Sequence, residues 1–426
     1  MSHGTIFALS SGSPPAAISV IRISGPRAHS AGEALAGSLP DARQASVREL
    51  RDCDGALLDE ALVLRFDGPA SSTGEDVVEL HCHGGRAVTK AVLSALERVD
   101  GLRDAQPGEF TRRAFENGRI GLTEAEGLAD LIEAETESQR RTALAMAEGG
   151  LSKQIEAWQR QLLQLSARAE AAIDYLDDDS VAADQQLSRD CGALASQLRQ
   201  WLSRPRVEPL RDGIRVVIAG PPNAGKSSLL NALSGIERAI VTATPGTTRD
   251  HVDVPMSLSG IPIRLTDTAG LRDSGELIEQ IGVGKARSLI LRADVLLWLG
   301  SAGDAPDHAH LIKVHARADL PERDVAPGGW LSVSSKTGEG LAELGSAIVA
   351  ESRTLLPSEG EVALNRRQAA CIEEASGALE DAASQRDVVL VAESLRQTRS
   401  AFDRLTGRAG VDDLLDALFG RFCLGK

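Results

Sequence analysis

Residues 214–227 read IRVVIAGPPNAGKS, and this stretch decides the fold of the central part of the chain. An apolar strand leads into the pattern GxxxxGK[ST], and an apolar helix follows it. In such a loop the backbone N–H groups surround phosphates, and the helix N-terminus adds its positive end. We therefore predict a nucleotide-binding loop, with Lys226 at the β- and γ-phosphates and the Ser227 hydroxyl on Mg²⁺.

Three further motifs follow in the order that is typical of guanine-nucleotide domains. GTTRD at 246–250 places Thr248 where it can bind Mg²⁺ when a γ-phosphate is present. Asp267 ends a predicted strand and is expected to hold the outer shell of the metal, while the Gly270 N–H faces the γ-phosphate. SSK at 334–336 follows another predicted strand and is similar to loops that pack on guanine.

One motif departs from the usual guanine-reading tetrad, Asn-Lys-x-Asp. The matching place reads Ala316-Arg317-Ala318-Asp319. Asp319 can still accept hydrogen bonds from guanine N1 and N2, but the Asn amide is lost and Arg317 must replace the Lys that covers the base. We predict a GTP site with weaker affinity or selectivity for the base.

Leu271 raises a question about hydrolysis. It follows the predicted γ-phosphate loop DTAG at 267–270, where Ras-like proteins carry a Gln that orients the attacking water. A leucine side chain cannot hold a water. Either the chain does not hydrolyse its nucleotide, or another group does this work.

The composition is that of a globular protein of 426 residues, with 42% hydrophobic and 25% charged residues. A net charge of −15 disfavours non-specific binding to a phosphate backbone. The five cysteines, at 53, 82, 191, 371 and 423, form no CxxC pair, which argues against a zinc ribbon or a disulfide framework. Because we find no signal segment and no apolar run of spanning length, we expect a cytoplasmic protein that does not enter a membrane.

Three kinds of sequence divide the chain. Residues 1–118 mix short apolar runs with Gly, Pro and Ser, which predicts a small α+β domain. Residues 119–211 contain few breakers, and an apolar seam from Leu151 at spacings of four and three indicates a long packed helix. Residues 212–352 alternate strands and helices as in a parallel α/β sheet, and residues 353–426 return to helix. We expect the α/β segment to be inserted into one helical domain; two separate helical domains are the alternative.

Two apparent sites are rejected. HCH at 81–83 suggests metal binding, but two imidazoles and a thiol do not complete a tetrahedral zinc set, and alternating strand residues explain the pattern. Cys423, fourth from the end, suggests prenylation. Gly425 is not aliphatic and Lys426 is a poor final residue, so we exclude lipidation.

Several stretches together are diagnostic of one family: TIFALSSG…ISVIRISG near the start, SSTGEDVVELHCHGG at 71–85, PGEFTRRAFENGRIGLTEAEGLADLI at 107–132, GPPNAGKSSLLNAL, AIVTATPGTTRD, DTAGLR…IEQIG and the terminal RFCLGK. Along nearly its whole length the chain resembles the tRNA uridine 5-carboxymethylaminomethyl modification GTPases (MnmE/TrmE). Other GTPases share the central motifs, whereas the 71–132 stretches and the last six residues are specific to this family.

The resemblance implies a multidomain α+β and α/β fold. Its parts are a folate-binding-type N-terminal α+β domain (1–118) that also dimerises, a helical domain in two parts (119–211 and 353–426), and an inserted Ras-like P-loop G domain (212–352). It implies a cytoplasmic homodimer that joins a flavin-dependent MnmG/GidA-type partner in a hetero-oligomer. The pair would install a carboxymethylaminomethyl-type group at C5 of the wobble uridine of tRNA. The implied cofactors are GTP, Mg²⁺, K⁺ and a tetrahydrofolate derivative, 5,10-methylene or 5-formyl, with K⁺ supporting hydrolysis as two G domains pair.

The resemblance also implies roles for single residues. Cys423 becomes a candidate nucleophile or acid, and Glu279 would orient a water through a second one. K⁺ would replace the charge of an arginine finger. The folate ligands would be Arg22, Glu79, Arg119 and Lys426, since a carboxylate can accept two N–H bonds from a pterin and cations meet the ligand's carboxylates. The K⁺ ligands would be Asn223, Thr242, Thr244 and Thr247, and the Mg²⁺ ligands Ser227 and Thr248.

The motifs and the resemblance together assign the nucleotide contacts. The expected GTP-binding residues are Asn223, Ala224, Gly225, Lys226, Ser227, Ser228, Thr242, Thr247, Thr248, Asp267, Thr268, Ala269, Gly270, Asp319, Ser334, Ser335 and Lys336.

Two alternative functions stay open. One is a ribosome-assembly or RNA-binding regulatory GTPase, because GRAG at 407–410 fits the GXXG loop of a KH module, although it lies between helices without the strands of that fold. The other is a dimerising structural GTPase without chemistry of its own, against which the folate-type N-terminal stretches argue.

Overall fold

A computed structural model describes residues 4–174, 180–235, 253–268, 287–321, 325–358, 360–409, 412–422 and 424–425. Its contacts divide the chain into two compact units, Met1–Ala129 with Asp403–Lys426, and Asp130–Phe402. The domain boundaries expected near 118, 211 and 352 stay predictions. Among the described residues, no helix is both long and apolar enough to cross a membrane.

The N-terminal part of the chain mixes strands and helices: β1 (Thr5–Leu9), β2 (Ile18–Ser24), α1 (Ala28–Ala36), β3 (Ala45–Arg51), β4 (Leu57–Phe66), β5 (Val77–His83), α2 (Arg86–Glu97), β6 (Leu102–Asp104), α3 (Glu109–Glu116) and α4 (Leu122–Glu133). The remainder contains α5 (Glu137–Ala147), α6 (Gly150–Asp174), α7 (Ser180–Leu202), α8 (Glu208–Asp212), β7 (Ile214–Ala219), α9 (Lys226–Ser234), β8 (Asp253–Leu258), β9 (Ile261–Asp267), β10 (Val295–Trp298), β11 (Leu311–Ala316), β12 (Leu331–Val333), α10 (Leu341–Leu355), α11 (Arg366–Ser384), α12 (Val388–Thr406) and α13 (Asp412–Phe419). A further helical segment at 287–292 precedes β10.

The first unit is built on a six-stranded sheet in the order β3-β4-β5-β2-β1-β6. Alternation in the sequence gives the sheet two different faces. In β5, Leu80 and Cys82 are buried, whereas His81 and His83 lie on the opposite face. Helices α1 and α2 pack on the buried face and complete one apolar core with it.

The C-terminal helix belongs to this first unit. Leu415 and Phe419 of α13 are buried against Leu122 and Ala125 of α4. Helix α12 ends at Thr406, and Gly407 follows in the left-handed region with φ 81°. The GXXG stretch therefore begins where a helix ends.

The second unit combines helices with a second sheet. The predicted seam on α6 is buried at Leu151, Ile155, Trp158, Leu162, Leu165 and Ala169. Trp158 stacks on Phe402 with ring centroids 6.1 Å apart. On α11, the Ser376 hydroxyl donates a 3.3 Å hydrogen bond to the Ala195 carbonyl of α7. Helices that precede and follow the α/β segment thus pack together, so the segment is inserted between them.

The stretch from 122 to 202, which contains few helix breakers, is helical in several pieces, and the long helix expected from the apolar seam is α6. Four helices, α4 to α7, occupy it among the described residues. Thr136 caps α5 in a reciprocal capping box: its hydroxyl accepts from the Gln139 N–H, and the Gln139 side chain accepts from the Thr136 N–H. A Thr followed three residues later by Gln is a start signal for a new helix.

The inserted sheet has the order β12-β11-β10-β7-β9-β8, and all its neighbours are parallel except the pair β8 and β9. The apolar strands β7, β9 and β10 lie at its centre and supply much of the core. In parallel sheets of this kind, ligands bind beyond the carboxyl ends of the strands. The predicted phosphate loop follows the carboxyl end of β7.

Candidate functional site

The predicted phosphate loop joins β7 to α9. Asn223 and Gly225 both lie in the left-handed region, with φ 61° and 96°, which curls the backbone towards the N-terminus of α9. The Lys226 ammonium is held by the loop itself, since it donates to the carbonyls of Gly220 at 3.1 Å and Pro221 at 2.8 Å. A charged amine and a helix N-terminus thus face the same small volume, as phosphate binding requires.

Two oxygen donors meet beside this loop. The Ser227 hydroxyl donates a 2.5 Å hydrogen bond to Asp267 Oδ2 at the end of β9. The parallel register of β7 and β9, which sets Ile218 opposite Asp267, brings them together. Next to Asp267, the Thr268 hydroxyl donates a 3.0 Å hydrogen bond to the Ile218 carbonyl. A hydroxyl and a carboxylate are hard oxygen ligands, so this pair fits Mg²⁺ and its bound water.

A cavity of about 390 Å³ adjoins the phosphate loop. At one wall, Asp319 accepts a 2.7 Å hydrogen bond from the buried Ser334 hydroxyl. That bond lowers the pKa of Asp319; burial opposes the shift, and the charges of Lys336 and Arg317 add to it. Asp319 is therefore an ionised acceptor at neutral pH. The cavity is lined by Gly225, Ser228, Ala316, Arg317, Asp319, Leu320, Ser335 and Lys336.

Ala316 and Arg317, which stand where the guanine-reading motif usually has Asn and Lys, contribute differently to this cavity. Ala316 is only 3% exposed at the end of β11 and presents a methyl group. Arg317 adopts a left-handed φ of 63°, and its Nε lies 3.5 Å from where a Cβ on Gly225 would stand. Its side chain thus lies against the phosphate loop. This is the position that its predicted role over the base requires; the role stays a prediction.

In the first unit, Arg22 and Glu79 form an ion pair across β2 and β5. Arg22 donates to Glu79 Oε1 from Nε at 2.9 Å and from Nη2 at 2.8 Å. The other carboxylate oxygen lies 3.2 Å from His81 Nε2. The hydrogen bond with His81 lowers the pKa of Glu79, burial opposes this, and Arg22 reinforces it. Sequence reasoning missed His81 as a partner, although its place two residues along the strand put it on the same face.

The two other predicted folate residues are placed differently. Arg119 is exposed and lies beside Gly74, where a Cβ would come within 3.3 Å of Arg119 Cγ. The C-terminal tail reaches the end of β1, because a Cβ on Gly425 would stand 2.2 Å from the Leu9 carbonyl oxygen. Lys426 follows directly but is outside the described residues.

Several predicted site residues fall in parts of the chain that the structure does not describe. They are Thr242, Thr244, Thr247, Thr248, Ala269, Gly270, Leu271, Glu279, Cys423 and Lys426. Their assigned roles stay predictions.

Sequence reasoning also missed a buried ion cluster near the end of β2. Arg113, 1% exposed, donates to Glu75 Oε2 and to Glu109 Oε1, both at 2.9 Å. Burial opposes ionisation of Glu109, but hydrogen bonds from Arg103, the Gln106 N–H and Arg113 lower its pKa to about 2. Glu75, Glu109 and Arg113 lie within the 71–85 and 107–132 stretches and Arg103 lies between them, yet no short motif marks these residues as partners.

The side chains of His81, Cys82 and His83 do not lie together as the ligands of one metal ion would. Cys82 is buried in the core, and burial raises the pKa of its thiol to about 12, with the charge of Asp59 adding to the effect. His81 and His83 lie on the other face of the sheet. This arrangement supports the rejection of a zinc site at 81–83.

Comparison with protein families gives two matches. Residues 5–119 match the GTP-binding protein TrmE N-terminus, and residues 122–423 match the MnmE helical domain. The second match runs across the inserted α/β segment and includes more than half of the chain.

Relatives match over the whole length. The tRNA modification GTPase MnmE of Novosphingobium aromaticivorans is 54% identical over 99% of both chains. The protein of the same name from Rhizobium meliloti is 44% identical over 100% of both chains. Among solved structures, the G domain of the T. maritima FeoB iron transporter is 27% identical over 32% of this chain and 98% of its own, with a TM-score of 0.24. A TM-score this low leaves the fold assignment to the sheet order and the motifs.

Proposed function

Because the chain belongs to the MnmE family of tRNA modification GTPases, we propose that it couples GTP hydrolysis to a change at C5 of the wobble uridine of tRNA. With a flavin-dependent partner of the MnmG/GidA type, it installs a carboxymethylaminomethyl-type group there. The tRNA part of this proposal rests on the family membership, and the observation that carries the GTPase part is the hydrogen bond between Ser227 and Asp267. It joins the phosphate loop to the neighbouring strand, and the cavity that contains Asp319 adjoins the same loop.

In the proposed site, the loop N–H groups and Lys226 hold the β- and γ-phosphates. Ser227 and Thr248 would be the residues that hold Mg²⁺, and Asp267 would support them from beside Ser227. When bound, Mg²⁺ neutralises charge that develops on the phosphates. Asp319, kept ionised by Ser334, accepts from the two N–H donors on one edge of guanine.

Water orientation is assigned to groups other than Leu271. Asn223 lies exposed in the phosphate loop and offers a carbonyl oxygen to K⁺, together with oxygens of Thr242, Thr244 and Thr247. K⁺ supplies positive charge where charge develops in a largely dissociative transition state. Glu279 orients the attacking water through a second one, and the pairing of two G domains assembles this apparatus.

Hydrolysis rates in K⁺ and Na⁺ test this part of the proposal. We expect faster GTP turnover in K⁺, loss of the K⁺ effect in Asn223→Ala, and slow turnover with unchanged GTP binding in Glu279→Ala. Asn231→Ala is the matched control, because Asn231 is an exposed amide on α9 outside the loop. Equal wild-type rates in the two salts contradict the K⁺ role.

The one-carbon unit is proposed to come from a tetrahydrofolate bound in the first unit. Glu79 is an ionised acceptor whose position is fixed by Arg22 and His81. Arg119 and Lys426 are assigned to the carboxylates of the ligand, and Cys423 to a role as nucleophile or acid. The approach of Gly425 to Leu9 supports a tail that ends beside the sheet.

The homodimer is proposed to form through the open face of the first sheet. Val47 on β3 and Leu62 on β4 are directly opposite each other and are 55% and 36% exposed. Ile18 on β2, 57% exposed, adds to the apolar surface on this part of the unit. Exposed apolar side chains on one face of the sheet are the basis for placing the interface here.

Reconstitution tests the whole reaction. Purified chain, flavin partner, unmodified tRNA, a methylene-tetrahydrofolate, GTP and glycine, which supplies the nitrogen and the carboxymethyl part of the group, are combined, and the nucleosides are analysed by mass spectrometry. We expect a new wobble nucleoside only when GTP is present. Its formation without the chain contradicts the proposal.

A further inference from the structure

A second cavity, of about 640 Å³, lies at the base of the inserted segment within the second unit. Its walls come from the segment that enters α8, from the first residues of α11, and from β7 and β9. Arginine is prominent among the residues that line it: Arg206, Arg215, Arg264 and Arg366. The lining residues of this cavity differ from those of the cavity beside the phosphate loop.

Three of these arginines have no acidic partner among the described residues. Arg206 precedes α8, Arg264 lies exposed on β9, and Arg366 is the exposed first residue of α11. Nη1 of Arg206 is buried and has no hydrogen-bond partner in the described part of the chain. Leaving such a buried donor without a partner is unfavourable for the folded state. The cavity therefore offers cationic donors that the chain itself does not use.

The acidic residues of the cavity are mostly engaged. Asp294 accepts from Arg215 in a two-pronged pair, with distances of 3.0 Å and 2.8 Å. Glu208 accepts a 2.5 Å hydrogen bond from the Arg366 N–H and so caps α11. Glu373 lies two turns further along α11 and faces the same space. Asp212 also lines the cavity and lies 4.0 Å from Arg211 Nε, so the lining holds four arginines and four carboxylates, and Arg206, Arg264 and Arg366 are the guanidinium groups without a carboxylate partner among the described residues.

We propose that this cavity binds the phosphate backbone of the tRNA. Planar guanidinium groups with five donors suit phosphate oxygens. The volume exceeds what one phosphate group needs and suits a stretch of backbone. The proposal rests on the proposed function, since a tRNA modification enzyme must hold tRNA, and it deepens that function by naming the residues that touch the backbone.

The position of the cavity would let bound tRNA contact both the flanking helices and the strands that carry the nucleotide site. Gly213, with a left-handed φ of 83°, is the single residue between Asp212 at the end of α8 and the start of β7. One wall belongs to helices on either side of the insertion, and the other to strands β7 and β9 that carry Ile218 and Asp267. A backbone bound between them restrains the inserted segment relative to these helices.

Binding of a fluorescent tRNA transcript, followed by anisotropy at several salt concentrations, tests the proposal. The variants are Arg264→Gln and Arg366→Gln in the full chain, with Arg386→Gln as the matched control, because Arg386 is exposed and lies outside the cavity. We expect each cavity variant to bind tRNA about threefold to tenfold more weakly and to lower the salt slope by about 1, with GTP affinity unchanged. The control variant retains wild-type values.

Three results decide against the proposal in different ways. If wild type binds tRNA and both cavity variants match Arg386→Gln, the cavity is not the tRNA contact, while the proposed function survives. If inorganic phosphate or GTP displaces tRNA from wild type more than chloride of equal ionic strength, and the variants lose this effect, the cavity takes a small anion instead of RNA. If wild type binds no tRNA, the proposed function fails together with this site.

Discussion

The Ser227 hydroxyl lies 2.5 Å from Asp267 Oδ2, although 40 residues separate them in the chain. One residue opens the helix after the phosphate loop, and the other ends a neighbouring parallel strand. The sheet order therefore builds the metal site, because β9 pairs directly with β7. Each prediction about nucleotide chemistry depends on this pairing or on the cavity beside it.

Ser227→Ala removes the hydroxyl that is assigned to Mg²⁺. We expect hydrolysis to be lost and the Mg²⁺ dependence of nucleotide affinity to disappear, measured with a fluorescent GTP analogue in Mg²⁺ and in EDTA. Ser234→Ala is the control, since Ser234 lies on the same helix and bonds only the Leu230 carbonyl among the described residues. A Ser227→Ala variant that keeps full Mg²⁺ dependence contradicts the assignment.

Ala316→Asn restores the amide that the tetrad lacks. Ala316 lines the base cavity, so the new side chain reaches the bound guanine. One added neutral hydrogen bond is worth about 1 kcal/mol, which corresponds to roughly fivefold tighter GTP binding. Titration calorimetry with GTP and ATP measures it. If the variant keeps the wild-type melting temperature but binds GTP no more tightly than wild type, the guanine base does not bind beside residue 316.

Glu109→Gln tests the buried ion cluster. It leaves Arg113 without one of its charge partners, so we expect a loss of about 3 kcal/mol in local stability at neutral pH. The pKa of Glu109 is depressed in the folded state to about 2, from an ordinary 4.5. Its contribution is therefore fully present above about pH 4.5 and is lost as the pH falls towards 2.

Hydrogen exchange of peptides that include α3, measured by mass spectrometry between pH 7 and pH 3, reports this effect. Glu116→Gln on the same helix is the control, because its pair with Arg112 is half-exposed and such pairs are worth little. Equal exchange in the two variants at pH 7 means that the cluster does not stabilise this region.

Leu62→Asp places a charge on the open face of the first sheet. We expect the homodimer to dissociate, seen as a halved mass in light scattering, because a charge opposite Val47 is buried on association. Leu163→Asp on α6, where the leucine is 66% exposed, controls for a charge on any surface leucine. If Leu62→Asp remains a dimer and Leu163→Asp dissociates, the dimer interface lies in the second unit.

The sequence predicted those elements whose signals are local. The strand before the phosphate loop, the loop itself and the seam on α6 follow from residues close in the chain, and the structure has each of them. The inserted arrangement was also predictable, because two helical stretches flank one α/β stretch and the resemblance favoured a single domain. The capping box at Thr136, which marks the start of α5, was also present in the sequence but was not used in the prediction.

The contacts between distant residues were beyond reach. Arg113 and Glu75 are 38 residues apart, and only the packing of α3 on the sheet unites them. Arg22 and Glu79 were each predicted to bind folate. That the Arg22 guanidinium and the Glu79 carboxylate also pair with each other follows from the β2–β5 register, which sets the two residues opposite each other. A register is set by whole strands and their turns, and single residue types do not encode it.

The most direct test of the central claim is mass spectrometry of tRNA nucleosides from a strain that lacks this gene. We predict that the carboxymethylaminomethyl-type wobble uridine is missing, that the wild-type chain restores it, and that Ser227→Ala does not, although Ser234→Ala does. Normal wobble uridines in the deletion strain would contradict a role in tRNA modification, and full restoration by Ser227→Ala would contradict its coupling to GTP.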